Sequence, residues 1–213
     1  HQLDGLNIKR PEKTEKIYLT FEDLTKIENI SKNQLTDSLD NAKDWLIISC
    51  YTGQRVSDFM NFTDEQIRIE DGKQLLEFTQ KKTGKNMTVP LHNKVLEILK
   101  KRKGKFPYKI SDQKYNDFIK TVCELAEINE LTIGSKLLET KKGSGVYRKQ
   151  SGTFKKYELV TSHIGRRSFA TNFYGTIPTT FLIYITGHST ESMFLNYIGK
   201  SNKDLALEIT KYF

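Results

Sequence analysis

The stretch Thr161-Ser162-His163-Ile164-Gly165-Arg166-Arg167-Ser168-Phe169-Ala170-Thr171 carries more charge than a helix start ordinarily tolerates. Its pattern predicts a helix over His163 to Tyr174, in which His163 and Arg166, three apart, share a face. Two adjacent arginines at that end oppose the helix dipole. An anion bound there would remove the penalty. Downstream, Pro178 suits the first turn of a helix running to Thr186, and Gly187 suits its stop. Thr186-Gly187-His188-Ser189-Thr190 leads into a helix over Thr190 to Tyr197, so Asn196-Tyr197-Ile198-Gly199 stands nine residues beyond His188. Taken alone, Tyr197 reads as an ordinary amphipathic surface residue. A last helix opens at Ser201-Asn202-Lys203-Asp204, with Leu205, Ile209 and Tyr212 on one face.

Upstream of this block, Leu131 to Leu159 is rich in Gly, Lys and Thr and reads as a mobile loop or, in preference, a twisted hairpin such as Val146–Lys149 pairing with Phe154–Glu158. Tyr115, Phe118, Ile119, Val122 and Leu125 recur at helical spacing and predict a helix over Asp112 to Ile128. Val95, Leu96 and Leu99 lie on one side of another helix, which ends in the basic run Lys100 to Lys105. Gln66–Glu70, Gln74–Thr79 and Asn86–Pro90 read as three short strands joined by tight turns at Asp71-Gly72 and Thr83-Gly84. The second turn lies in Gln80-Lys81-Lys82-Thr83-Gly84-Lys85, a lysine-bearing tip that could reach into a DNA groove but taken alone reads better as a solvated turn.

The helix over Asp37 to Tyr51 is apolar on nearly all sides at Trp45-Leu46-Ile47-Ile48, which marks the centre of the core. Thr52-Gly53 ends it, and Gln54-Arg55-Val56-Ser57-Asp58 follows. An arginine beside the core must keep its charge and so needs an anionic partner. Asp58 and Asp64 are the ordinary candidates. Thr20 with Asp23 makes a capping pattern for a first helix. Residues up to about Lys16 are polar, with Pro11 among them, and read as a linker or arm (1–17). These elements describe an α+β chain, mainly helical, with a small three-stranded antiparallel sheet and no internal repeat.

Composition bounds the rest. The 213 residues are 37% hydrophobic and carry a net charge of +8, with a pI near 9.3 and a mean hydropathy of −0.56. A basic surface favours a polyanionic partner, nucleic acid being the commonest. No run is apolar enough to span a bilayer and no signal peptide opens the chain, which places it in the cytoplasm without a membrane partner. Cys50 and Cys123 have no neighbours at metal-ligand spacing and read as reduced core residues, so neither metal nor disulfide is expected.

Arg55, the hairpin lysine, His163-x-x-Arg166, Gly187-His188 and Tyr197, in this order, resemble the active-site signature of the tyrosine recombinases of the phage-integrase family. The resemblance runs from about Tyr18 to Lys200, and its local flavour at Thr161–Thr171 is that of integrases of phages and conjugative mobile elements. It implies the catalytic fold of those enzymes over 18–213 and a metal-free, cofactor-free reaction. In that reaction a tyrosine, matched by Tyr197, attacks a DNA phosphate to leave a 3′-phosphotyrosyl link and a free 5′-hydroxyl. Arg55 and Arg166 match the phosphate clamps. Lys82 matches the lysine that protonates the leaving 5′-oxygen, with Lys81 and Lys85 as fallbacks and DNA contacts. His163 matches the residue that assists proton transfer, and His188 the one that hydrogen-bonds the phosphate. Arg167 is assigned to phosphate or backbone contact.

Two positions depart from the family pattern. Asp58 stands where Glu is usual, and Gly165 stands where Leu is common, which is expected to loosen the helix start. The N-terminal core-binding domain of full recombinases does not appear, and His1 rather than Met opens the chain, as in a fragment. The resemblance further implies specific double-stranded DNA sites, a homotetramer that exchanges the segment from Ser201 onward, and accessory DNA-bending factors. Rival readings are a type IB topoisomerase or telomere resolvase, and a DNA-binding module that has lost activity.

Overall fold

The computed structural model describes residues 16–213. Of the expected arm, residues 1–15 lie outside the described residues, while Ile17 packs against the core. The chain then runs through α1 (Phe21–Glu28), α2 (Asp37–Thr52) and α3 (Val56–Phe59) into the strands β1 (Ile67–Glu70), β2 (Lys73–Thr79) and β3 (Asn86–Pro90). Next come α4 (Asn93–Lys101), α5 (Asp112–Leu125), β4 (Leu131–Glu139), β5 (Tyr147–Lys155) and α6 (Lys156–Leu159). The C-terminal part is α7 (Ile164–Asn172), α8 (Thr179–Thr186), α9 (Glu191–Ile198) and α10 (Asn202–Ile209).

Local chemistry explains most of these boundaries. Thr20 and Asp23 cap α1 reciprocally, satisfying two of its free N–H groups. Gly53, in the left-handed region at φ 68°, ends α2, and Gly187 at φ 61° ends α8. The first sheet has the order β1-β2-β3, antiparallel throughout, with Asp71 and Gly72 at positive φ in the first turn.

The second hairpin differs from the expected one. β4 pairs with β5 from Leu131↔Lys155 to Glu139↔Tyr147, so Arg148 and Lys149 face Leu138 and Leu137, not the segment after Phe154. The turn is set by Gly143 and Gly145, both at positive φ, whose N–H groups donate to the Glu139 carboxylate at 3.0 and 2.7 Å. After Lys155 the chain turns into α6, so Lys156 to Glu158 are helical.

The core has two packed regions. The larger surrounds α2, whose Trp45, Leu46 and Ile48 are fully buried against Phe59, Tyr115, Ile119 and Val122. The smaller joins β3 to the C-terminal helices through Met87, Val89, Phe169, Leu182, Phe194 and Ile198. Phe78 and Phe173 touch both regions. Helix α7 lies across the seam, and there Gly165 has a definite use. A Cβ on Gly165 would stand 2.5 Å from Ser49 Cβ and 3.0 Å from the Ser49 carbonyl carbon, and would collide with its Oγ. Gly165 therefore lets α7 lie directly against α2 and does not loosen the helix start. Gly53 serves the same seam, since its missing side chain leaves room for the Phe169 ring.

Candidate active site

The seam between the two core regions gathers most of the polar residues singled out in the sequence. Arg55 follows the left-handed turn at Gly53 and stands at the start of α3. Beside it, the fully buried Gln54 donates its side-chain N–H groups to the carbonyls of Thr52 and Ile185, each at 2.9 Å. Gln54 Oε1 accepts from Gln80 Nε2 at 3.2 Å, and Gln80 Oε1 accepts from the Thr83 hydroxyl at 2.8 Å. Asp58 Oδ1 accepts the Lys81 N–H at 2.8 Å. The end of α2, the end of α8 and the lysine turn are thus tied together by buried hydrogen bonds, which are costly to break.

Sequence reasoning assigned no role to Gln54 or Gln80. Their signal was a polar residue wedged between Gly53 and Arg55, and another directly after a strand with a buried Leu76. Gly187 also abuts this web, because a Cβ there would lie 3.2 Å from Gln80 Oε1.

Arg166, from the first turn of α7, is 4% exposed and donates to the Gly53 carbonyl at 3.0 Å. The Arg167 guanidinium lies 5.1 Å from the centre of the Tyr197 ring. On the ring's other contact, the His188 ring centre is 4.9 Å away. The hydroxyl of Tyr197 is buried without a hydrogen bond among the described residues, as are Arg55 Nη1, Arg167 Nε and Asp58 Oδ2. Neither ordinary partner accounts for Arg55. Asp64 pairs with Lys105 at 2.7 Å, and no ion pair joins Arg55 to Asp58 among the described residues.

The electrostatics follow from this crowding of cations. Burial, then the neighbouring Arg55, pull the Arg166 guanidinium down to about 10. Burial and the arginines Arg167, Arg166 and Arg55, with Lys82, lower the His163 pKa. Burial, Arg166 and Arg55 lower that of His188 to about 4, so it is neutral at physiological pH. Burial raises the Tyr197 phenol above its usual value, and Arg167, Arg166 and Arg55 oppose that rise without overcoming it. Like charges drawn together, one buried at Arg166 and two half-buried at Arg55 and Arg167 with unpaired N–H donors, favour an anion among them.

Lys82 is placed differently. It is exposed on the β2–β3 turn, closed by Gly84 N–H to the Gln80 carbonyl at 2.8 Å, and its charge reaches His163. Lys81 and Lys85 are exposed on the same turn, and Lys85 stacks 4.8 Å over the Tyr184 ring. The other tyrosines near this region lie outside the arginine group. Tyr184 faces Lys85, and Tyr174 donates its hydroxyl to Glu208 at 2.9 Å. Among the described residues no group of three or more His, Cys, Asp or Glu side chains is placed to hold a metal ion.

The fold is shared with solved recombinases. The XerH site-specific recombinase, bound to a palindromic difH substrate in a post-cleavage complex, superposes with a TM-score of 0.64 at 13% identity, over 95% of this chain and 54% of that one. The XerA recombinase gives 0.62 at 14%, over 96% and 66%. The Tn1549 transposon integrase, in complex with circular intermediate DNA, gives 0.59 at 15%, over 95% and 69%. The chain therefore spans between half and about two thirds of the length of these proteins. No curated protein sequence matches it. At the level of sequence, residues 18–204 match the phage integrase family, a span that holds all of the site residues above. The chain belongs to the phage integrase family.

Proposed function

We propose that the chain is the catalytic domain of a site-specific tyrosine recombinase that cleaves and rejoins double-stranded DNA. The observation that carries this reading is the group of buried Arg166 and half-buried Arg55 and Arg167 around the unbonded hydroxyl of Tyr197. A phosphodiester would supply the anion this group needs. Attack by Tyr197 adds negative charge to the nonbridging phosphate oxygens, and guanidinium donors that the fold gathers beside it stabilise that charge. Because burial keeps Tyr197 protonated, its proton must be taken up as the oxygen–phosphorus bond forms. His163, at the surface, and half-buried His188, each with its pKa lowered by desolvation and the cations beside it, are available to take it. Lys82, on a turn anchored through Gln80 and Asp58, is assigned to protonate the leaving 5′-oxygen, with Lys81 and Lys85 on the same turn contacting the DNA.

The arginines supply the charge stabilisation, so the reaction assigned here needs no metal, and the phosphotyrosyl link conserves the bond energy for rejoining without ATP. Specific recombination sites, a tetramer on DNA, and accessory bending factors belong to the same reading. So does a second, DNA-clamping domain beyond residues 18–213.

A duplex carrying the target site with a nick beside the scissile phosphate tests the proposal. The short fragment between the scissile phosphate and the nick, which carries the freed 5′-hydroxyl, diffuses away after attack, and a covalent protein–DNA adduct accumulates. Tyr197→Phe is expected to abolish the adduct while leaving DNA binding intact. Binding without any adduct from the native chain would instead identify an inactive DNA-binding module. Relaxation of supercoiled plasmid without exchange between two sites would identify a topoisomerase-like enzyme.

A further inference from the structure

The lysine turn is held more firmly than an exposed hairpin tip requires. Lys81 to Lys85 are exposed, yet Gln80 at the base of the turn is 1% exposed and Gln54 beneath it is fully buried. Two backbone carbonyls decide which way these amides point. Gln54 Nε2 carries two N–H groups, and the carbonyls of Thr52 and Ile185 take both, each at 2.9 Å. Gln54 Oε1 therefore faces Gln80 and must be met by a donor, which is Gln80 Nε2 at 3.2 Å. Gln80 Oε1 is left facing the turn, where it accepts the Thr83 hydroxyl at 2.8 Å. The result is a directed chain of hydrogen bonds from the last turn of α8 to the residue that follows Lys82.

Lys82 is anchored on its other side as well, since the Lys81 N–H donates to buried Asp58 Oδ1 at 2.8 Å. The backbone at Lys82 is thus fixed from both neighbours, and its charge bears on His163 across the site. Gly187 adds a close approach: a Cβ there would stand 3.2 and 3.3 Å from the oxygen and nitrogen of the Gln80 amide. One amide consequently sets the distance between the lysine turn and the segment that leads into His188.

We infer that Gln80 and Thr83 are positioning residues that hold Lys82 for protonation of the leaving 5′-oxygen, by fixing the lysine turn to the end of α8 through Gln54. This inference rests on the recombinase reading. In the step concerned, the Tyr197 oxygen bonds to phosphorus and its proton passes to a site histidine. The bond from phosphorus to the 5′-oxygen breaks, and that oxygen takes a proton from the Lys82 ammonium, which becomes a neutral amine. A turn released from Gln80 leaves the ammonium out of place for the last transfer and leaves the attack itself untouched.

Two nicked duplexes of one sequence, selected from a random library by adduct formation with the native chain, test it. They differ in the scissile linkage alone, one with the ordinary 5′-oxygen and one with sulfur in its place, which departs as a thiolate and needs no proton. Thr83→Val removes the hydroxyl at nearly constant volume on an exposed turn. It is expected to slow adduct formation on the oxygen duplex by about tenfold, a part of what a well-placed acid contributes, and to match the native chain on the sulfur duplex. Thr83→Ser should stay close to native on both, and Gln80→Met should follow the valine variant. Lys82→Ala, which removes the acid itself, should lose about 10²-fold or more on oxygen and recover on sulfur.

Near-native cleavage of the oxygen duplex by Thr83→Val overturns the inference. So does a defect of equal size on both duplexes, because the turn would then serve something other than the leaving group. A Lys82→Ala variant that sulfur does not rescue removes Lys82 as the acid, and the inference with it, while the native adduct keeps the recombinase reading. Should Gln80→Met misfold, the two Thr83 variants still decide the matter. A native chain that forms no adduct with any duplex of the library overturns the recombinase reading itself.

Discussion

Arg55 and Arg166 hold the site's character at the residue scale, because each is a cation that the fold buries or half-buries without a carboxylate partner among the described residues. Arg55→Ala or Arg166→Ala is expected to slow adduct formation by at least about 10²-fold, the scale of losing one oxyanion donor. Lysine is a poor replacement, since it lacks the planar fork that grips two phosphate oxygens. Near-native cleavage by either alanine variant removes that residue from the site. His188 gives a second prediction. Its pKa is about 4 in the fold and near 6.5 in an unfolded chain. As pH falls through that interval the unfolded chain binds the proton first, so stability rises with pH there and is lost on acidification. Thermal denaturation between pH 7 and pH 4 should therefore show a falling midpoint, with a shallower fall in His188→Asn. The arginines and histidines were legible in the sequence as residue types at suggestive spacings. The Gln54–Gln80 pair and the Arg167–Tyr197 stacking were not, because each depends on which segments the fold brings together across long separations.

At the scale of elements, the contact of α2 with α7 decides where the arginines stand, and Gly165 decides how close that contact is. Gly165→Ala is expected to cost about 1–3 kcal/mol of stability, the range for overpacking a close interior contact. Ser49→Gly in the same chain should return part of the loss, measured by denaturant unfolding; an additive result would show that the two residues do not collide. Strongly periodic helices and the three-stranded sheet were readable from the sequence, and Asn86–Pro90 matches its strand at both ends. The β4–β5 hairpin was misread in its strands, with β4 missed as a partner, because both strands alternate weakly and include Gly134 and Gly152, which face each other. Where neither face of a strand is clearly apolar, pattern alone does not set the pairing. The turn chemistry of Gly143 and Gly145 around Glu139 was the better guide.

For the whole molecule, the net charge of +8 makes DNA binding salt-dependent under the recombinase reading. Replacing Lys81, Lys82 or Lys85 by alanine should each lower the slope of log affinity against log salt by about one if it meets a phosphate, and an unchanged slope excludes that lysine from the contact. Helix α10 packs on its own chain here, with Glu208 accepting from both Tyr174 and Lys200. If this segment is exchanged between neighbours on DNA, deletion from Ser201 onward weakens cooperative assembly, and unchanged assembly would show that it is not. The recombinase reading turns on one atom, the hydroxyl oxygen of Tyr197. The direct measurement is mass spectrometry of the proteolysed adduct formed on a nicked duplex. The account predicts a nucleotide joined through phosphate to the peptide that contains Tyr197; a nucleotide on a peptide bearing Tyr174 or Tyr184 instead would contradict it.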